Sequence, residues 1–179
     1  MATPHTDSAH PLVLHYTIRR SALGQVLVAA TSKGIAAVLL GDDKSALIDD
    51  VQQRYPQAQL ATGGPLLHRW SDTVLEILSH PTLQHVVPLD AVGGTDFQRK
   101  VWKTLRAIPA GQTRTYTDLA KAIGKPQAVR AVASACAANP LAVLVPCHRV
   151  LRADGGLGGY RWGIERKQQL LQLEGAIAK

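Results

Sequence analysis

The residues best suited to chemistry lie together in Pro146-Cys147-His148-Arg149-Val150. The thiolate is the reactive form of cysteine, and a nearby imidazole or cation stabilises it. An apolar run, Val143 to Val145, delivers the thiol to a proline-fixed turn. Adjacent residues of an extended chain point opposite ways, so a bridging water could connect His148 to Cys147. A Cys-His dipeptide alone is a weak signal, because a buried inert cysteine is the commoner outcome. Cys136 is of that inert kind: it stands among alanines with no partner motif. His5, His10 and His15 have no ligand spacing to the two cysteines, and two cysteines cannot build a four-thiolate zinc site or a disulfide framework. No metal is expected.

The elements that must hold this cluster read as an α+β chain with a small N-terminal sheet-and-helix domain, 1–92, and a mostly helical C-terminal domain, 93–179. Residues 1–11 are expected to form a flexible leader. Leu12 to Arg19, Gln25 to Thr31 and Ile35 to Leu40 are separated by turn residues and predict an antiparallel meander. Asp43 to Tyr55 predicts a helix, followed by Pro56. Pro65 to His80 predicts another, with Leu66, Leu67, Trp70, Val74, Leu75 and Ile77 as its apolar stripe. Val86 to Leu89 could add a strand. Ala91-Val92-Gly93-Gly94 marks the boundary.

Beyond it, Thr95 and Gln98 have capping-box spacing and open a helix to about Ala107 that buries Phe97, Val101, Trp102 and Leu105. Thr115, with Asp118 three residues on, opens a second helix to Ile123. Gly124-Lys125-Pro126 breaks the chain, and Gln127 to Ala138 forms a third, completing a helix-turn-helix pattern. This third helix is slim, built from Ala128, Ala131, Ala133, Ser134, Ala135, Ala137 and Ala138, as suits close approach to a narrow groove or close packing in a core. A glycine-rich loop spans Asp154 to Gly159. Ile164 to Glu174 closes the chain as a helix with Leu170, Leu171 and Leu173 packed inward.

The chain has 179 residues, 46% of them hydrophobic and 18% charged, an ordinary globular composition. No apolar run reaches the roughly 18 residues of a membrane span, and the start lacks the basic and apolar regions of a secretory signal. A reducing, cytoplasmic setting is expected. Residues 1–90 carry six Lys/Arg against eight Asp/Glu, net −2; residues 91–179 carry fourteen against five, net +9. A basic back half fits a polyanionic partner such as nucleic acid, or an excess that aids solubility.

With these motifs the chain resembles the O6-alkylguanine-DNA alkyltransferase family, the methylated-DNA-protein-cysteine methyltransferases. The resemblance runs from Gly94-Thr95-Asp96-Phe97-Gln98 through Val101-Trp102, Ile108-Pro109, Gly111-Gln112-Thr113, Thr115-Tyr116 and Ile123-Gly124-Lys125-Pro126. It continues through Ala128-Val129-Arg130-Ala131-Val132, Asn139-Pro140, the Cys147 motif, Gly159-Tyr160-Arg161-Trp162 and Leu170-Leu171. Residues 1–90 match only in coarse pattern.

The resemblance implies single-turnover repair: transfer of the alkyl group of O6-methylguanine, and of O4-methylthymine, to the protein's own cysteine, with no cofactor. Cys147 matches the acceptor, and His148 the base that takes its proton through a water. Glu174 matches the carboxylate that orients the imidazole and favours its charged form, so the thiol pKa should fall well below the roughly 8.5 of free cysteine. Asn139 matches a residue that braces the cysteine turn. Tyr116 matches the tyrosine that crowds the rotating phosphate and gives a proton to the departing guanine. Arg130 matches the finger that fills the space of the flipped base. Arg130, Tyr116, Ala131 and Ser134 would meet double-stranded alkylated DNA through its minor groove.

The base pocket would be formed by Val145, Val150 and Tyr160 with Arg161 and Trp162. The last two stand where the human member has small residues; they agree with bacterial adaptive-response members, whose upstream zinc module is not expected here. Trp162 is expected to narrow the pocket entrance. A monomer in solution, able to assemble cooperatively on DNA, is expected. Two rivals are an alkyltransferase-like damage sensor, in which the cysteine is replaced, and a Cys-His hydrolase.

Overall fold

A computed structural model describes residues 10–179; residues 1–9, with His5 and most of the expected leader, lie outside the described part. Three antiparallel strands come first: β1 (Val13–Ser21), β2 (Gly24–Ala30) and β3 (Ile35–Gly41). The pairing Ser21 to Gly24 makes the first connection a tight hairpin. Helix α1 (Lys44–Arg54) follows, capped by the Asp43 carboxylate on the Ala46 amide at 2.7 Å. The chain then adds β4 (Gln59–Thr62), parallel to β1, so the sheet order is β3-β2-β1-β4 and the sheet is mixed, where a pure meander was expected.

Helix α2 (Pro65–Ser79) buries Leu67, Val74 and Leu78, while Leu66 faces out. Consecutive residues of β2 and β3 are buried, so both faces of those strands are covered. The strand expected over 86–89 is absent: Val86 is 98% exposed, and only Leu89 bridges to Ile35. That bridge still matters, because a side chain on Gly34 would meet the Pro88 carbonyl at 2.6 Å.

Helix α3 (Asp96–Arg106) carries the full capping box between Thr95 and Gln98 and buries Val101, Trp102 and Leu105. A two-residue strand, β5 (Arg114–Thr115), leads into α4 (Tyr116–Ala122), whose box is Thr115 with Asp118. Helix α5 (Val129–Ala137) follows the break at Gly124. A turn of 3-10 helix, Cys147–Arg149, precedes β6 (Val150–Leu151), which pairs parallel with β5.

Helix α6 (Ile164–Leu173) buries Lys167, Leu170 and Leu171, with Glu174 as its cap residue; Leu173, expected inside, is 45% exposed. Residues 167, 170, 171 and 174 share one helix face, and 173 falls off it. No described helix is long and apolar enough to cross a membrane.

Sheet and helices share one continuous apolar core. The join that matters for chemistry is at the open edge of β3. The Val38 amide donates to the Pro140 carbonyl at 2.8 Å, and the Ala142 amide donates back to the Val38 carbonyl at 3.0 Å. The segment that leads to Cys147 is thereby pinned to the sheet.

Candidate active site

Between that anchor and Cys147 the chain folds on itself. Val143 has φ of 61°, a left-handed conformation that costs a β-branched residue about 1–2 kcal/mol. The Leu144 amide donates to Ala142 at 2.7 Å, Val145 to Leu141 at 3.0 Å and the Cys147 amide to Val145 at 2.8 Å. The apolar run is a coiled turn, and Cys147 and His148 sit in 3-10 helix, where an extended segment was expected. Asn139, fully buried, braces this turn. Its Oδ1 accepts from the Leu141 amide at 2.9 Å, and its Nδ2 donates to the Val145 carbonyl at 2.8 Å, with Leu141 O at 3.3 Å and Cys147 Sγ at 3.4 Å.

Cys147 is 5% exposed and free of any disulfide. Burial pushes its thiol pKa up; the Asn139 hydrogen bond and the Lys167 charge pull the other way without prevailing. The expected low thiol pKa is therefore corrected: the resting residue is a protonated thiol.

His148 shows why. Its Nε2–H donates to Glu174 Oε1 at 2.7 Å, the tautomer required because an ionised carboxylate only accepts. Glu174 also receives Arg149 Nε at 3.1 and 3.0 Å and Arg149 Nη2 at 2.7 Å, while Arg149 Nη1 donates to the Ile108 carbonyl at 2.6 Å. Burial alone would raise the Glu174 carboxyl, but the bonds and charges of His148 and Arg149 outweigh it and bring it down to about 2. The carboxylate is thus shared with a permanent cation.

Burial lowers the His148 pKa, more than Glu174 raises it. The imidazole is neutral at rest, a correction to the charged form expected from the motif. Its Nδ1, which carries the lone pair, is buried with no protein partner. The pair Cys147 and His148 makes no direct hydrogen bond, which leaves Nδ1 as a base in want of a proton.

A cavity of about 300 Å³ opens on the thiol, lined by Tyr116, Ala133, Cys136, Ala137, Cys147, Gly159, Tyr160 and Arg161. Burial raises the Tyr116 phenol to about 12, so it is a proton donor at neutral pH. A side chain on Gly158, at φ 69°, would meet the Tyr116 hydroxyl at 3.3 Å. Tyr160 Oη is buried without a partner.

Of the expected pocket residues, Val145 and Val150 are buried and do not line this cavity. Trp162, 5% exposed, lines a separate groove beside Asp42 and Asp43, with its ring edge-on to Tyr160 at 5.3 Å. Arg161, not Trp162, borders the thiol cavity. A larger cavity of about 690 Å³ near Trp70 contains neither cysteine.

On α5, Arg130, Ala131 and Ser134 are exposed, and their spacing puts them on one face. On the other side Trp102 Nε1 donates to the Ala135 carbonyl at 2.8 Å, so the small residues also serve close packing against α3.

No sequence motif marks Lys167. It is wholly buried, and its ammonium donates to the carbonyls of Val150 at 2.6 Å, Leu157, and Gly159 at 3.2 Å, tying the glycine-rich loop to the strand after Cys147. Burial lowers its pKa to about 8. A lysine on the apolar face of α6, in register with Leu170, Leu171 and Glu174, was the signal available. Arg149 lies between His148 and Val150, but nothing local tells that it claims Glu174.

Comparison with known proteins decides the family. Residues 96–176 match the family model described as 6-O-methylguanine DNA methyltransferase, DNA binding domain. The inducible methylated-DNA-protein-cysteine methyltransferase of Bacillus subtilis is 39% identical over 150 residues, 82% of each chain. The chain belongs to the methylated-DNA-protein-cysteine methyltransferase family. The bifunctional transcriptional activator/DNA repair enzyme Ada of Escherichia coli is 50% identical over 91% of this chain and 46% of its own. The chain thus spans about half the length of that relative. Among solved structures of the family, Mycobacterium tuberculosis OGT in complex with DNA superposes with a TM-score of 0.75 at 36% identity, over 90% of this chain and 93% of that one. The Pyrococcus kodakaraensis O6-methylguanine-DNA methyltransferase superposes at 0.70 with 28% identity, over 90% and 99%. The α+β fold is that of these methyltransferases.

Proposed function

We propose that the protein repairs O6-methylguanine in DNA by irreversible transfer of the methyl group to Sγ of Cys147. The observation that carries this reading is a buried thiol on the wall of a base-sized cavity, beside a histidine whose lone-pair nitrogen has no partner. The thiol is neutral until substrate arrives, so deprotonation belongs to the reaction. The Cys147 proton passes through a water to His148 Nδ1, and the imidazolium so formed is held at Nε2 by Glu174. The thiolate attacks the methyl carbon in line with its bond to O6. The C–O6 bond breaks, and guanine leaves with its electron pair. Tyr116 donates a proton to the departing base and is reprotonated from the imidazolium by way of solvent, so the thiol proton ends on guanine. A thioether is stable, and each molecule acts once. No cofactor enters, because the substrate carries the methyl group. O4-methylthymine is a second substrate by the same chemistry.

The target lies inside a stacked duplex and must be flipped out. The exposed face of α5 enters the minor groove, where Arg130 fills the vacated space and Ala131 and Ser134 pass close to the backbone. Residues 1–92 and 93–179 form two domains. The protein works in the cytoplasm as a monomer that can assemble cooperatively on DNA. A duplex carrying a radiolabelled O6-methyl group tests the reading. Label should move to protein and stop at one methyl per chain; continued release of small product would favour a hydrolase, and tight binding with no transfer a damage sensor.

A further inference from the structure

Helix α1 has no part in the chemistry above, yet it reaches the site. Asp50 and Arg54 stand one turn apart on α1, with Arg54 Nε 3.5 Å from Asp50 Oδ1. The same Oδ1 receives Arg161 Nη2 at 2.9 Å, across 111 residues of chain. Both guanidiniums also touch the C-terminal end of α5. Arg54 Nη1 donates to the Ala138 carbonyl at 3.2 Å, and Arg161 Nη1 approaches the Ala137 carbonyl at 3.5 Å. The last carbonyls of a helix lack partners within it and carry its negative dipole end, so two cations can gather there.

Arg161 is the link between two hollows. It lines the cavity that contains Cys147, and it lines the groove of about 470 Å³ that contains Asp50. Its side chain is 36% exposed, as befits a rim. We propose that Asp50 is a positioning residue that governs which O6 substituents reach Cys147, by holding Arg161 at the mouth of the cavity. The proposal rests on Cys147 being the alkyl acceptor.

Two features favour placement over stability as the role of this cluster. Arg54 Nη2 is buried without a hydrogen-bond partner and Nε comes no nearer than 3.5 Å to Asp50, and an unmet buried donor costs about 1–3 kcal/mol. A cluster kept for stability would satisfy them. Arg54 is also destabilised as a cation, first by burial and then by the charge of Arg161. The two guanidiniums repel, and the single carboxylate between them is what keeps Arg161 in place. Without that charge Arg161 swings out to water, and the mouth widens.

The test uses the full chain and two free bases, O6-methylguanine and O6-benzylguanine. The quantity read is the ratio of their transfer rates, which cancels any loss of folded protein. Asp50→Asn should raise the benzyl-to-methyl ratio by about tenfold, within the range of coupling inside one salt-bridge network. Arg161→Ala should raise it as much, the double variant no further, and Asp50→Glu should restore the parent ratio. A parent ratio in Asp50→Asn, or additive effects in the double variant, would overturn the proposal while methyl transfer by the unaltered protein still stood. Absence of methyl transfer in the unaltered protein would instead strike at the acceptor role of Cys147.

Discussion

Glu174→Gln preserves the shape of a buried side chain and removes its charge. The carboxylate takes four hydrogen bonds from His148 and Arg149, and its own side chain is 1% exposed. Against an ordinary 4.5 its pKa is held at about 2. A fall of that size, at about 1.4 kcal/mol per pH unit, corresponds to roughly 3 kcal/mol of native stability. Removing one partner of a buried ion pair costs a similar 3–5 kcal/mol or so, because the other charge is left stranded.

The sign follows from the depressed value: the contribution is fully present above pH 4.5 and is lost as pH falls toward 2. Urea unfolding of parent and variant from pH 7 down to pH 3 is the assay. At pH 7 the variant should be about 3 kcal/mol less stable, and the gap should close below pH 4.5. His148 adds a second window. Its folded pKa lies below 6.5, so the parent should lose stability as pH falls below that value and the unfolded chain takes up the proton. Single-turnover transfer should drop about 100-fold or more, since imidazolium loses its counter-charge. A stability gap that stays constant to pH 3, or an unchanged transfer rate, would refute the reasoning.

Arg130→Ala should slow transfer from duplex DNA far more than transfer from free O6-methylguanine, because only the duplex requires flipping; equal losses would place Arg130 in chemistry or folding. Asn139→Ala leaves the Leu141 amide unpaired in the core, while the Val145 carbonyl keeps the Cys147 amide, and should cost about 1–3 kcal/mol in a denaturant titration; a neutral result would mean the turn is held by other bonds. Trp162→Gly should cost about 3–5 kcal/mol, as a buried indole does; a variant as stable as the parent would show that the ring is not packed. Lys167→Met should speed amide exchange over 157–159 and slow transfer, with Lys167→Arg no remedy in so tight a site; unchanged exchange would remove its role as a tether.

The elements that were legible had local causes. Thr95 with Gln98 and Thr115 with Asp118 announce α3 and α4 because a capping box is written in four residues. Turn residues and apolar runs delimit β1 to β3. β4 has no such local cause: Gln59-Leu60-Ala61-Thr62 is short, half-exposed and without strong alternation, and pairing with β1 makes it a strand. The candidate site was readable as a set of residues, since Cys147, His148, Asn139 and Glu174 do come together. Its charge state was not readable. Whether a thiol is protonated depends on burial, and whether an imidazole is charged depends on who else holds its carboxylate. Arg149 is 25 positions from Glu174, and Arg161 is 111 from Asp50. Such pairings are properties of the packed chain.

The most direct test of Cys147 as the alkyl acceptor is mass spectrometry of the intact protein and its peptides after incubation with a duplex containing O6-methylguanine. One methyl group should appear per chain and map to the peptide bearing Cys147; Cys136→Ser should be labelled as the parent is, and Cys147→Ala should bind the duplex unlabelled. An unmodified mass, or a methyl group mapped to Cys136, would contradict it.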